Sequence, residues 1–259
     1  MKEILREAVI PFLSDRFKRL SANPGRILRS TGLTESELRG RLADLLSFEG
    51  TVDIRVQSVR EGVDIHLEAR GWPEGERPDA LEAVSGKIRD RLGDSVYGQD
   101  DESLESVVGR LLVEGGSTLS VAESCTGGLI GNRLTDVPGS SAFLDHVSVC
   151  YSNRSKVEML GVPADVIRDS GAVSEATAAA LAKGVRQISR TSFGLSVTGI
   201  AGPSGGSREK PVGLVYFGLA GAGDVQTDSS RFQGDRKAIK FQASQKALDM
   251  LRRHLMSAG

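Results

Sequence analysis

Two serines, a lysine, a tyrosine and an arginine stand at turns where amide chemistry or anion binding is feasible. The run Glu123-Ser124-Cys125-Thr126-Gly127-Gly128 joins a predicted strand to a predicted helix. Hydroxyls and free N–H groups at a helix start form a cup for an anion, because first-turn donors are unpaired and the dipole is positive there. Simple N-capping by Ser124 or Thr126 explains the same residues. Pro138-Gly139-Ser140-Ser141-Ala142 is a small-residue turn, followed by Tyr151-Ser152-Asn153 and Lys156. A serine attacks only once a base removes its proton, and a desolvated lysine or a tyrosine serves where no histidine is near. Read singly, Ser141 is an ordinary turn residue, Lys156 a solvated helix charge and Tyr151 a core ring with a wet hydroxyl. Thr198-Gly199-Ile200-Ala201-Gly202-Pro203-Ser204-Gly205-Gly206-Ser207 is a Gly-rich loop with neither Walker nor dinucleotide spacing, either a backbone cradle or a connector. Gly234-Asp235-Arg236 opens the last helix, where Arg236 can bind a phosphate or simply follow a capping Asp235.

The elements that must position these residues fall into two textures. The first part, residues 1–98, reads as helix, helix, two strands, helix. Leu33–Leu46 is predicted helical, with Thr34 and Glu37 at capping-box spacing. Val52–Val59 and Val63–Ala69 alternate around Arg60-Glu61-Gly62 as a hairpin with one wet face, and Ala80–Leu92 carries a helical stripe closed by Gly93. The acidic stretch 97–102 reads as a turn and a boundary. Residues 99–259 then alternate: a helix through Leu104–Leu112, strand Thr118–Ala122, helix Thr126–Thr135, strand Val147–Tyr151, helix Ser152–Leu160, helix Ser174–Arg190, strands Phe193–Thr198, Val212–Ala220 and Val225–Phe232, and helix Asp235–Leu255. Interleaved helices and strands predict a layered α/β domain, and the adjacent late strands predict a mixed sheet.

Composition narrows the function classes. The 259 residues carry 33 basic and 34 acidic side chains, so composition supplies no electrostatic argument for nucleic acid or an anionic membrane, and neither is expected as a partner. No run approaches the roughly 18 apolar residues of a membrane helix, and the charged start, with Lys2, Glu3, Arg6 and Glu7, has no signal-peptide core. Cys125 and Cys150 make neither a disulfide framework nor a four-cysteine zinc site, and His66, His146 and His254 are scattered. A reducing cytoplasm and no bound metal are the expectations. Gly, at 31 residues, is abundant enough to predict many tight turns or backbone-lined sites.

Taken in order, the runs from Ala122 to Gly128 and from Asp136 to Ser141, then Tyr151-Ser152-Asn153 with Lys156, Gly171 to Ser174, Thr198 to Pro203, Glu209 to Gly213 and Gly234 to Arg236 resemble the C-terminal domain of the CinA family. The resemblance covers about residues 104–255. It implies a three-layer α/β/α domain that hydrolyses the carboxamide of nicotinamide mononucleotide to nicotinic acid mononucleotide and ammonia, without metal or cofactor, as a homodimer. The first part resembles the family's central KH-like domain through Ile27 to Gly32, Glu35 to Leu38 and Arg91 to Asp94, a small α+β unit. The large N-terminal molybdopterin-cofactor-binding-like domain of full-length members has no counterpart in these residues, so the metal-dependent ADP-ribose pyrophosphatase activity attributed to it is not expected.

Carried over by motif, the resemblance makes Ser141 the nucleophile and Lys156, assisted by Tyr151, the proton acceptor. Ser124 is their hydrogen-bonding partner, and Thr198, Gly199 and Arg236 contact the nucleotide. Ser204 stands where the family usually has Asp, and Arg154-Ser155 replaces a common Glu-Ala before the lysine. A rival reading makes Cys125 the nucleophile, activated at a helix N-terminus. A non-catalytic reading has the KH-like part grip RNA, but residues 1–98 hold no Gly-x-x-Gly clamp and are balanced in charge.

Overall fold

The computed structural model describes residues 25–46, 51–70 and 79–257. They form two compact units that divide between Asp101 and Glu102.

In the first unit, β1 (Gly25–Ser30) is followed by helices α1 (Glu35–Arg41) and α2 (Ala43–Leu46), strands β2 (Val52–Val59) and β3 (Gly62–Ala69), helix α3 (Asp79–Leu92) and strand β4 (Val96–Gln99). The predicted hairpin is present as β2 and β3, paired from Val52↔Ala69 to Val59↔Gly62. The sheet order is β2-β3-β1-β4, antiparallel throughout. Alternate residues Val63, Ile65, Leu67 and Ala69 turn to one face and pack with Leu38, Leu42, Leu81 and Ile88 from the helices. Thr34 closes the expected capping box with Glu37, but the helix predicted to Leu46 is interrupted at Leu42. A helix was expected ahead of it; there residues 25–30 form strand β1, and residues 1–24 lie outside the described residues. The segment expected as a turn at Tyr97 begins as strand β4 against β1, and Asp100 accepts a hydrogen bond from the Ile27 amide. Gln99 and Asp100 therefore belong to the first unit.

In the second unit the chain runs α4 (Leu104–Glu114), β5 (Leu119–Glu123), α5 (Leu129–Thr135), β6 (Leu144–Val149), α6 (Asn153–Leu160), α7 (Ala164–Ser170), α8 (Glu175–Ser189), β7 (Phe193–Gly199), β8 (Leu214–Ala220), β9 (Val225–Arg231) and α9 (Arg236–Ser257). The sheet order is β6-β5-β7-β8-β9. β5 is parallel to β6 and β7, while β8 is antiparallel to both its neighbours, which gives the expected mixed sheet. Every residue of β5 is buried, as befits a central strand covered on both faces. α4, α5 and α9 pack together on one side, and α6 and α7 pack against α8 on the other, so the layers are α/β/α. Short α7 was not anticipated from the sequence. Among the described residues no helix is long and apolar enough to cross a membrane, and no group of three His, Cys, Asp or Glu side chains could hold a metal ion.

This topology fixes where a site belongs. Adjacent parallel strands β5 and β6 send their following helices, α5 and α6, to opposite faces of the sheet. A crevice opens at the carboxyl ends of such strands, where open α/β sheets bind ligands. Ser124 follows β5, Tyr151 follows β6, and Thr198 ends β7. Two antiparallel steps restore the strand direction at β9, so Arg236 emerges at the same end.

Candidate active site

Lys156 is one of the largest fully buried side chains in the molecule. It sits one turn into α6, whose start is fixed by a capping box between Ser152 and Ser155. Helical side chains lean toward the helix N-terminus. The Lys156 ammonium accordingly reaches back to donate to the Cys150 carbonyl at 2.8 Å, the Tyr151 carbonyl at 3.3 Å and Ser124 Oγ at 3.1 Å. Burial disfavours the charged form and holds the Lys156 pKa below the ordinary lysine value.

Ser124 is held just as firmly. Its amide donates to the Val197 carbonyl at 3.0 Å, tying the turn to β7, and its own carbonyl accepts from Gly127 at 3.1 Å. Gly127 and Gly128 take φ values of 61° and 90°, a left-handed pair that side-chain-bearing residues resist. The predicted helix therefore starts only at Leu129. The buried Glu123 carboxylate accepts from the Gly128 amide at 3.0 Å and the Gly131 amide at 2.8 Å. The anion cup expected at this helix start is thus occupied by the chain's own carboxylate.

Ser124, Cys125, Tyr151, Lys156, Thr198 and Arg236 share a cavity of about 190 Å³, and Gly199 is on its wall. Arg236 donates to the Gly202 carbonyl at 2.8 Å and to the Tyr151 hydroxyl at 2.9 Å, fastening the Gly-rich loop and the β6–α6 turn to α9. Thr198 turns its hydroxyl to the Ala172 carbonyl at 2.7 Å. Gly199 admits no side chain, since a Cβ there would lie 2.8 Å from the Leu214 carbonyl oxygen.

Three expectations are corrected. Ser141 is not in this cluster: it is an exposed residue of a 3-10 turn, Ser140–Ala142, before β6, whereas Lys156 follows β6. The whole of β6 lies between the two in the chain, and the hydroxyl that Lys156 meets is that of Ser124. Tyr151 meets Lys156 through its carbonyl, and its hydroxyl faces Arg236. Cys125 is buried, which pushes its thiol pKa up to about 12 and outweighs any activation by the helix start. Ser124, expected as a partner, is the hydroxyl that Lys156 touches.

The part Glu123 plays in holding this turn, and the position of Lys240 over Gly127, were not anticipated from the sequence. Glu123 was legible as a carboxylate followed by two glycines, a pattern that supplies amides for it to accept. Lys240 lies four residues after Arg236, on the same helical face.

Residues 101–255 match the model of the CinA C-terminal domain, and residues 25–98 that of the damage-inducible protein CinA KH domain. A CinA-like protein of Geobacter sulfurreducens is 40% identical over 258 residues, which cover 100% of this chain and 62% of that protein. The chain thus spans about three fifths of that relative's length. Among solved structures, a competence/damage inducible protein CihA from Agrobacterium tumefaciens is 40% identical with a TM-score of 0.56, covering 60% of this chain and 97% of that one. A CinA superfamily protein from Klebsiella pneumoniae is 33% identical with a TM-score of 0.58, covering 60% and 96%.

Proposed function

The chain belongs to the CinA family, and from that premise we propose that its C-terminal domain hydrolyses the carboxamide of nicotinamide mononucleotide, with Ser124 as nucleophile and Lys156 as base. The observation that carries this reading is the 3.1 Å contact between Lys156 Nζ and Ser124 Oγ at the wall of a cavity. Acyl transfer needs a nucleophile, a base that returns its proton to the leaving group, and donors for the oxyanion. Neutral Lys156 takes the Ser124 proton as Oγ attacks the carboxamide carbon. The C–N bond breaks as Lys156 delivers that proton to nitrogen, ammonia leaves, and an ester on Ser124 remains. Water, deprotonated by Lys156, attacks the ester, and the proton returns to Ser124 as nicotinic acid mononucleotide departs.

The Ser124, Gly127 and Gly128 amides are committed to Val197, Ser124 and Glu123. In this reading the Thr126 amide of the turn serves the oxyanion. Arg236 and the Gly-rich loop lie toward the nucleotide end, with Thr198 and Gly199 shaping the wall. We assign this chemistry to the second unit, which begins at Glu102, acting in the cytoplasm as a homodimer. Purified protein given nicotinamide mononucleotide should release ammonia and nicotinic acid mononucleotide in equal amounts. No release under any buffer or metal condition would remove the enzyme assignment.

A further inference from the structure

Arg236 and Lys240 stand one turn apart on α9 and project toward the same side. Arg236 lines the cavity. The Lys240 ammonium lies over exposed Gly127, where a Cβ would sit 3.3 Å from Nζ. It is also close enough to act electrostatically on Cys125, which forms part of the cavity wall. Further along the helix the cations have carboxylates: Lys246 pairs with Asp228 at 2.8 Å, and Arg252 and Arg253 pair with Asp249. Half-buried Lys240 has no such partner among the described residues. An ammonium in no ion pair of its own can take an arriving anion as its partner.

The size of the cavity says where that anion lies. At about 190 Å³ it is smaller than the roughly 300 Å³ at which pockets begin to enclose whole ligands. A substrate with its carboxamide at Ser124 therefore extends its sugar and phosphate beyond the cavity, on whose wall Arg236 lies, and exposed Gly127 with Lys240 over it stands two residues from the wall residue Cys125.

Resting on the amidase reading above, we propose that Lys240 is a substrate-binding residue that, with Arg236, clamps the substrate's phosphomonoester across Gly127 and selects phosphorylated over phosphate-free amides. Gly127 leaves room for the phosphate oxygens beside the ammonium, and Arg236 supplies a planar donor from the other side.

The test compares wild type, Lys240→Gln and Lys240→Arg on nicotinamide mononucleotide and nicotinamide riboside, beside calorimetric titration of each protein with ribose 5-phosphate. Lys240→Gln should lower kcat/KM for the mononucleotide about tenfold, through KM, while leaving the riboside unchanged. Ribose 5-phosphate binding should weaken by a similar factor, and Lys240→Arg should restore most of both losses. Equal effects on the two substrates, or unchanged ribose 5-phosphate binding in Lys240→Gln, would overturn the assignment. The titration decides it separately from turnover: a chain that hydrolyses no amide refutes the amidase reading, yet still supports the Lys240 assignment if its phosphate binding depends on this charge.

Discussion

Lys156 and Ser124, 32 positions apart in the sequence, meet with Nζ 3.1 Å from Oγ because the parallel strands β5 and β6 end side by side. The lysine arrives from a capped helix on one face of the sheet and the serine from a turn that leads to the other. Two carbonyls hold the ammonium in place, so it approaches Ser124 along one fixed direction.

Nucleophile and base acting as a unit should give non-additive losses. Lys156→Ala is expected to lower kcat by about 10² to 10⁴, the usual worth of general acid–base catalysis. Ser124→Ala should lose at least as much, and the double variant should be no slower than Ser124→Ala alone. Lys156→Arg should be as inactive as Lys156→Ala, because guanidinium does not give up its proton. Multiplicative losses in single-turnover kinetics would show that the two side chains act independently.

The lowered Lys156 pKa sets the pH dependence of both rate and stability. Activity should rise with pH through an apparent pKa below the ordinary lysine value of about 10.4, then level off. Between the lowered native value and that ordinary one, the unfolded chain holds more protons than the folded chain. Wild type should therefore gain stability relative to Lys156→Met as pH rises through that window, and carry the full cost of the buried ammonium below it. Urea denaturation of both proteins across this range checks the sign, and a wild type that loses stability relative to Lys156→Met as pH rises would contradict the burial argument.

Glu123 is expected to matter for stability first and for rate through Ser124. Glu123→Ala leaves the half-buried Gly128 amide and the buried Gly131 amide without their acceptor, at about 1 to 3 kcal/mol for each lost partner. Chemical denaturation should show a loss of at least about 2 kcal/mol, and kcat should fall as the Ser124 turn loosens. Unchanged stability would mean that the two amides find other acceptors.

Much of the fold was legible, and the failures have physical causes. Capping at Thr34 and Ser174 and the alternation of β2 and β3 are local signals, and all of them appear in the structure. β1 was missed because Arg26 and Arg29 break its apolar pattern: Arg26 bonds Glu82 and Ser85 of α3, and Arg29 pairs with Asp64 of β3. β4 was hidden by the acidic residues that follow it. At the site, Tyr151, Lys156, Thr198, Gly199 and Arg236 were named and do gather around one cavity with Ser124. Ser141 was expected as nucleophile from the family resemblance, whereas the contact between Lys156 and Ser124 depends on the pairing of β5 with β6, which no local motif encodes. Direction of travel through the sheet, which only pairing fixes, decided which serine the lysine meets.

Tyr151 offers a sharper check on the base. Its hydroxyl bonds Arg236, so Tyr151→Phe should leave kcat within a few-fold of wild type and act mainly on KM, through the Arg236 orientation. Loss of kcat comparable to Lys156→Ala would return the tyrosine to the proton-transfer step. Steady-state kinetics on nicotinamide mononucleotide distinguishes the two.

The most direct measurement of the central claim is ammonia release from nicotinamide mononucleotide by wild type, Ser124→Ala and Ser141→Ala assayed side by side. Wild type and Ser141→Ala should turn over at similar rates, because Ser141 is exposed before β6, while Ser124→Ala should release almost no ammonia. Turnover that survives in Ser124→Ala and disappears in Ser141→Ala would contradict the Ser124–Lys156 assignment.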